Sequence, residues 1–289
     1  MSIASIIKLN SLDTLLGKEE NGITEISIAA LKDFENHPFK VVDDEKMADM
    51  LKSIKEYGVL TPILVRAKDD KYEVISGHRR KYACEKLGIA KIPAIIKELT
   101  DDEATILMVD SNIQREVILF SERAFAYKLK LDAIKHQGKT TSSQLGTKLR
   151  ADEVIAENEG ISRNQIQRFI RLTHLNTDLL DMVDTKKLPF NTAVELSYLT
   201  IEEQVMLYNA ITEYETIPSM KQATRLKTFS KEQRLDENVI SAIMTEEIET
   251  PIKINLTGKS LKNYFPKEYT QKQMEDVIYK LLEDWANKN

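Results

Sequence analysis

Between residues 24 and 117 the apolar positions change period several times. The runs ITEISI, PILVR, YEVIS and IPAIIKE alternate or concentrate β-branched residues over short lengths, as strands do. EKMADMLKSIKEYG, HRRKYACEKLG and DDEATILMVDSN instead repeat apolar residues at helical spacing. Strands interleaved with helices predict a small α/β domain over residues 24–117, with Gly58 and Gly88 as helix C-caps. Over residues 118–229 the pattern becomes one of successive amphipathic helices, and no glycine lies between Gly160 and Gly258, which predicts an all-helical domain. The stretch HQGKTTSSQLGTKLR, His136 to Arg150, carries Ser, Thr and Gly but no acidic residue and is expected to be a flexible basic connector. Residues 230–289 read as a strand (PIKINL), a turn at Gly258 and a long helix. Met274, Val277, Ile278, Leu281, Leu282 and Trp285 form one apolar stripe on that helix. The expected fold class is α+β, with an N-terminal tail over 1–23 and a short strand-helix segment at the end.

Composition narrows the function classes. No apolar run approaches the roughly 20 residues that span a bilayer, and the first residues lack the features of a secretory signal, so a cytoplasmic location is expected. Cys84 is the single cysteine, which excludes an internal disulfide; no CxxC or HExxH stands in the sequence, and the four histidines are scattered, so nothing points to zinc. The net charge of −5 argues against a uniformly basic surface. Positive charge confined to one element remains compatible with nucleic-acid binding.

Two stretches concentrate such chemistry. In ISGHRRKYACEKLG, Ile75 to Gly88, a strand meets a helix at Gly77. Backbone N–H groups at a helix start point outward with the positive end of the dipole, and Arg79 and Arg80 add cations where cations are normally unfavourable. Anion binding, with a phosphate chain suited to guanidinium forks, is one reading; a solvated helix start with the arginines paired to nearby carboxylates is the other. In ADEVIAENEGISRNQIQRFIRL, Ala151 to Leu172, Ala156 precedes Gly160 by four residues, Gly160 permits a tight turn, and Ser162 caps a second helix buried through Ile161, Ile166 and Phe169. Arg163, Asn164, Gln165, Gln167, Arg168 and Arg171 stay on its other faces, and these side-chain types can pair bidentately with base edges. Lys139, Lys148 and Arg150 would add phosphate contacts. The alternative is an ordinary helical hairpin.

Taken in order, HPFK, the helix EKMADMLKSIKEYG with VLTPILV, YEVISGHRRKYACEKLGIAKIPAIIKELTDDEA, DSNIQRE and the helix-turn-helix make the chain resemble the ParB partition-protein family over roughly residues 24–225. The resemblance implies a ParB/sulfiredoxin-like N-terminal domain that binds CTP with Mg2+, slow hydrolysis of CTP to CDP and phosphate, and binding of a centromere-like site in double-stranded DNA. It also implies a C-terminal homodimer and a ParA-type ATPase partner: a nucleotide-gated clamp for partition of a chromosome, plasmid or mobile element. The family's Gly-Glu-Arg-Arg box maps onto Gly77, His78, Arg79 and Arg80, with His78 in place of the acidic residue. The family's Glu-Asn-x-Gln-Arg box maps onto Ser111, Asn112, Gln114 and Arg115. Asn112 and Ser111 thus hold the catalytic places, and Asn112 the metal place. Ser111 replaces a carboxylate, with Asp110 beside it, and the family's Gln-Pro-Arg box is here His37-Pro38-Phe39. The alternative function is a ParB-like transcription regulator without nucleotide gating. A sulfiredoxin-like enzyme is discounted because Cys84 lies inside the helix rather than at its N-terminus.

Overall fold

The computed structural model describes residues 22–115, 117–140, 150–246, 261, 264–266 and 268–288. Contacts divide the chain into two units, Met1–Thr245 and Glu246–Asn289.

The first unit begins with a mixed five-stranded sheet: β1 (Thr24–Ser27), β2 (Leu31–Lys32), β3 (Ile63–Lys68), β4 (Lys71–Ser76) and β5 (Lys91–Ile96), in the order β1-β5-β3-β4-β2. β3 and β4 form an antiparallel hairpin, while β3 runs parallel to β5 and β4 parallel to β2. Side chains alternate between the two faces of a strand. Accordingly Ile63, Val65 and Val74 join one core, shared with helices α1 (Glu45–Tyr57) and α2 (His78–Lys86), whereas Leu64 and Ile75 join another, beneath α3 (Asp101–Ile113). Asp44 caps α1 by accepting from the Met47 N–H at 2.8 Å, and Thr100 with Glu103 forms a capping box on α3. Four strands and three helices lie where the hydrophobic pattern places them; β2, two residues long, was too short to leave a period.

Helix α4 (Phe120–Thr140) leads into α5 (Ala151–Glu159) and α6 (Arg163–Arg171). Tyr127 and Leu131 of α4, Ile155 and Ala156 of α5, and Ile166 and Phe169 of α6 share the core beneath α3. The helix pair is therefore seated on the α/β layer. A third core, built on Leu172, Leu179, Leu188, Leu207, Leu226 and Ile243, is enclosed by α7 (Thr177–Asp184), α8 (Phe190–Leu196), α9 (Ile201–Tyr214), α10 (Met220–Lys231) and α11 (Glu237–Thr245). This helical core continues to Thr245, past the expected boundary at 229. Helix α4 runs through Thr140, so the first five residues expected to be connector are helical. Residues 141–149, with Lys148, the tail residues 1–21, the strand PIKINL and the turn at Gly258 lie outside the described residues, as does the Lys139 side chain.

In the second unit α12 (Gln271–Ala286) starts on a Thr270/Gln273 capping box. None of its residues is buried; Leu281 is 62% and Trp285 66% exposed. Among the described residues no helix is long and apolar enough to cross a membrane.

Candidate anion site and nucleic-acid interface

Gly77 opens α2 at φ +105°, a region that favours glycine, and its carbonyl accepts from the N–H groups of Arg80 and Lys81. A Cβ at this position would stand 2.5 Å from Ile63 Cγ2. The glycine is thus required by the packing of the turn on β3 as well as by its dihedral. No side chain among the described residues caps the helix start.

The two arginines are held apart. Arg79 donates to Asp44 at 2.6 and 3.3 Å, joining the first turn of α2 to the cap of α1. Arg80 turns the other way and donates to the carbonyls of Thr61 and Pro62, both at 2.5 Å. Burial lowers the Arg80 pKa, its strongest influence being loss of solvent. Arg79 thus has the carboxylate partner of the plainer reading, and Arg80 braces a loop.

His78 is 6% exposed and packs against His37, ring centroids 3.9 Å apart and planes tilted by 47°. Both ring nitrogens of His78 and Nε2 of His37 are buried without a hydrogen-bond partner among the described residues, while His37 Nδ1 lies 2.8 Å from the Phe39 carbonyl. Burial, and then repulsion from His37, pull the His78 pKa down to about 3; His37 is also lowered, first by burial. Both imidazoles are therefore neutral at pH 7. They border a cavity of about 270 Å³ that Asp33, Lys81, Tyr82 and Glu85 also line.

The end of α3 approaches this cluster. The Arg115 guanidinium lies 5.4 Å from the centroid of the Phe39 ring and is half-buried. Its pKa is lowered by burial, raised by Glu122 and lowered again by Arg79, which puts Arg79 and Arg115 within electrostatic reach of each other. Gln114 is exposed. Ser111 and Asn112 turn away: Ser111 Oγ donates to the Met108 carbonyl at 2.9 Å, and Asn112 Nδ2 donates to the same carbonyl at 2.8 Å. The Asp110 carboxylate, a conceivable substitute for the missing acidic ligand, is paired with Lys130. No group of three His, Cys, Asp or Glu suited to a metal ion occurs among the described residues.

Thirty-five residues beyond Arg115 the second surface begins. Gly160, at φ +65°, ends α5 and lets the Ile161 N–H reach the Ala156 carbonyl at 3.1 Å, closing the tight turn. Ser162 Oγ then accepts from the Gln165 N–H at 3.2 Å and caps α6. Ile166 and Phe169 are buried, and Ser162, Arg163, Asn164 and Gln167 are exposed, with Gln165 between these extremes. Arg168 and Arg171 face α8 and the loop beyond it. Arg168 donates to Asn191 Oδ1 at 2.5 Å; Arg171 donates to the Ser197 carbonyl at 2.7 Å and lies 4.0 Å from the Tyr198 ring centroid. Of the three α6 arginines expected at DNA, Arg163 is therefore exposed, while Arg168 and Arg171 brace the fold. Sequence reasoning missed Asp152, whose buried carboxylate accepts from Arg150 at 3.2 Å and from Gln167 at 2.9 Å. An acidic residue in the first turn of α5 reads as an ordinary helix-start residue, so only the fold shows what it meets.

The ParB N-terminal domain model matches residues 14–113. The chain is 29% identical over 194 residues to the chromosome-partitioning protein Spo0J of Thermus thermophilus, covering 67% of this chain and 66% of that protein. The first part of the chain thus carries a ParB N-terminal domain. The chain is also 26% identical over 259 residues to a nucleoid occlusion protein of Halalkalibacterium halodurans, covering 86% of this chain and 89% of the relative. A crystal structure of C-terminally truncated ParB from Caulobacter crescentus with the centromeric parS site is 24% identical, with a TM-score of 0.42, covering 71% of this chain and 98% of that one.

Proposed function

We propose that this chain is a centromere-type DNA-binding protein that serves the partition of a chromosome, plasmid or mobile element, and that CTP held at the start of α2 gates its hold on DNA. The observation that carries the nucleotide half is the convergence of Gly77, His78 and Arg79 with Arg115, from boxes far apart in sequence, around buried imidazole nitrogens that lack partners. A ligand with phosphates for the arginines and hydrogen-bonding edges for neutral imidazoles fits that donor set. Arg79 can exchange its exposed Asp44 partner for phosphate at small cost, because surface ion pairs contribute little. Magnesium fits less well. Ser111 and Asn112 are turned onto Met108 and Asp110 onto Lys130, so the protein groups offer no free carboxylate there, and no hydrolytic step is assigned to them.

The DNA half rests on the exposed edge of α6, with Arg163, Asn164 and Gln167 as base-reading candidates and Ser162 and Arg150 beside the backbone. Arg168 and Arg171 would act through the neighbouring helix. The apolar, uncovered stripe of α12 suits a two-fold contact with a second copy, matching a palindromic site. A ParA-type ATPase remains a partner suggested by the family alone. Calorimetric titration with CTP, ATP, GTP and UTP, with and without cognate duplex, tests the gating. CTP should bind in preference to the others and change DNA occupancy, and Arg115→Ala should weaken it at least about tenfold. A wild-type chain that binds no nucleotide yet selects a DNA site would establish the plain regulator instead.

A further inference from the structure

We propose that Asp152 is a positioning residue for sequence recognition, holding Arg150, Arg163 and Gln167 in register at the mouth of the helix pair. This role rests on the DNA-reading assignment of α6. Asp152 is 3% exposed and sits in the first turn of α5. Gln167 Nε2 donates to its Oδ2 at 2.9 Å, Arg150 Nε to Oδ1 at 3.2 Å and Arg150 Nη2 to Oδ2 at 3.4 Å; Arg163 Nε lies 4.0 Å from Oδ2. Arg163 also approaches Glu153 at 3.6 Å. Arg163 and Gln167 are one helical turn apart, so they share a face of α6 and meet this one carboxylate from above. Burial raises the pKa of Asp152, yet the bonds from Arg150 and Gln167 leave it below the usual carboxylate value, so it is ionised at neutral pH.

An ionised carboxylate behind a DNA-reading surface has two opposed effects. It repels phosphate, which weakens binding to every sequence. It also restricts long, rotamer-rich side chains before DNA arrives, which favours the sequence that matches their arrangement. A helix-start role alone would give neither effect, and Glu153 already supplies an acid to that turn and accepts from the Arg150 backbone N–H at 3.1 Å.

The experiment uses the full chain. A randomised duplex library is enriched on wild type, and affinities for the enriched duplex and a scrambled duplex of equal length are then measured for wild type, Asp152→Asn and Asp152→Ala at one salt concentration, with melting temperatures. Asp152→Asn should bind the scrambled duplex as well as wild type or better, and its preference for the enriched duplex should fall about five- to a hundredfold. An unchanged preference in Asp152→Asn, or equal weakening on both duplexes with a lowered melting temperature, overturns the role while leaving the DNA reading intact. A wild type that enriches no sequence removes the reading and this role together. Should Asp152→Ala fail to fold, the isosteric Asp152→Asn decides.

Discussion

The two surfaces differ in what their side chains are doing before any ligand arrives. Around the start of α2 they are turned onto the protein: Arg79 on Asp44, Arg80 on the carbonyls of Thr61 and Pro62, Ser111 and Asn112 on Met108. Along α6 the outer edge is already displayed, and the buried Asp152 carboxylate accepts from Gln167 and from Arg150 beside it. A ligand at the first surface must replace internal partners, so its differential affinity for the rearranged form sets how far the equilibrium moves. A ligand at the second meets a prearranged face. The first surface would have to rearrange for a ligand, and the second would not.

The contrast breaks most readily at the link between them. Lys130 of α4 is 1% exposed and pairs with Asp110 of α3 while lying 3.7 Å from Glu159, the last residue of α5. Lys130→Met leaves Glu159 buried without its cation, and burial already raises the Glu159 pKa. The expected loss is roughly 3–5 kcal/mol of stability, read from urea unfolding, with partial recovery on adding Glu159→Gln. A Lys130→Met chain as stable as wild type would show the link to be incidental. Next in size is Gly77→Ala, which forces a side chain into positive φ and against Ile63. It should cost roughly 2–4 kcal/mol; an unaltered unfolding midpoint would mean that the turn relaxes freely.

These effects also mark what could be read without coordinates. The α/β pattern, the Gly77 turn and the Gly160–Ser162 corner were legible because each depends on local periodicity or on a residue type that a particular backbone conformation demands. Partner choice was not. Nothing in GHRR says that Arg79 reaches back to Asp44 or Arg80 to Thr61, and nothing in RNQIQRFIR separates outward Arg163 from Arg168 and Arg171, which meet α8 and the loop after it. Those contacts join residues 18 to 35 positions apart, and such pairings follow from packing rather than from spacing. The His37–His78 contact was hidden for the same reason, since two isolated histidines show no cluster in the sequence.

That pair makes the first surface sensitive to acid. The His78 pKa is held at about 3, below the ordinary value near 6.5, so the folded state prefers the neutral ring. The contribution is fully present above pH 6.5 and is lost as pH falls, because the unfolded chain takes up a proton that the folded chain refuses. Asp33 opposes this lowering, whereas His37, Lys81 and Arg115 add to it. Stability should therefore drop by about 1.4 kcal/mol per pH unit below 6.5 for this ring, about 2 kcal/mol by pH 5. His78→Phe, keeping an aromatic face toward His37, should flatten the urea midpoint between pH 7 and pH 5. An equally steep variant would assign the acid loss to other groups.

The smallest expected shift separates selecting from bracing within α6 itself. Arg171 donates to Ser197 and covers one approach to the Tyr198 ring, while Lys227 stands 3.7 Å from the same ring centroid. Arg171→Ala removes two hydrogen bonds and one cation–π contact at a half-exposed position. Lys227 keeps its own contact and its ion pair to Glu195 at 2.9 Å, so the net loss should be about 1 kcal/mol of stability. Arg163→Ala removes an exposed side chain with only long contacts, 4.0 Å to Asp152 and 3.6 Å to Glu153, and should leave stability within about 0.5 kcal/mol. On DNA the order reverses. Arg163→Ala should erode discrimination at particular base pairs, whereas Arg171→Ala should weaken enriched and scrambled duplexes in similar proportion, since its side chain is engaged with the fold. Thermal melts and competition binding on the same two variants provide the four numbers needed. If Arg171→Ala erodes base preference as much as Arg163→Ala does, the bracing arginines also read DNA, and the division of labour along α6 has to be redrawn.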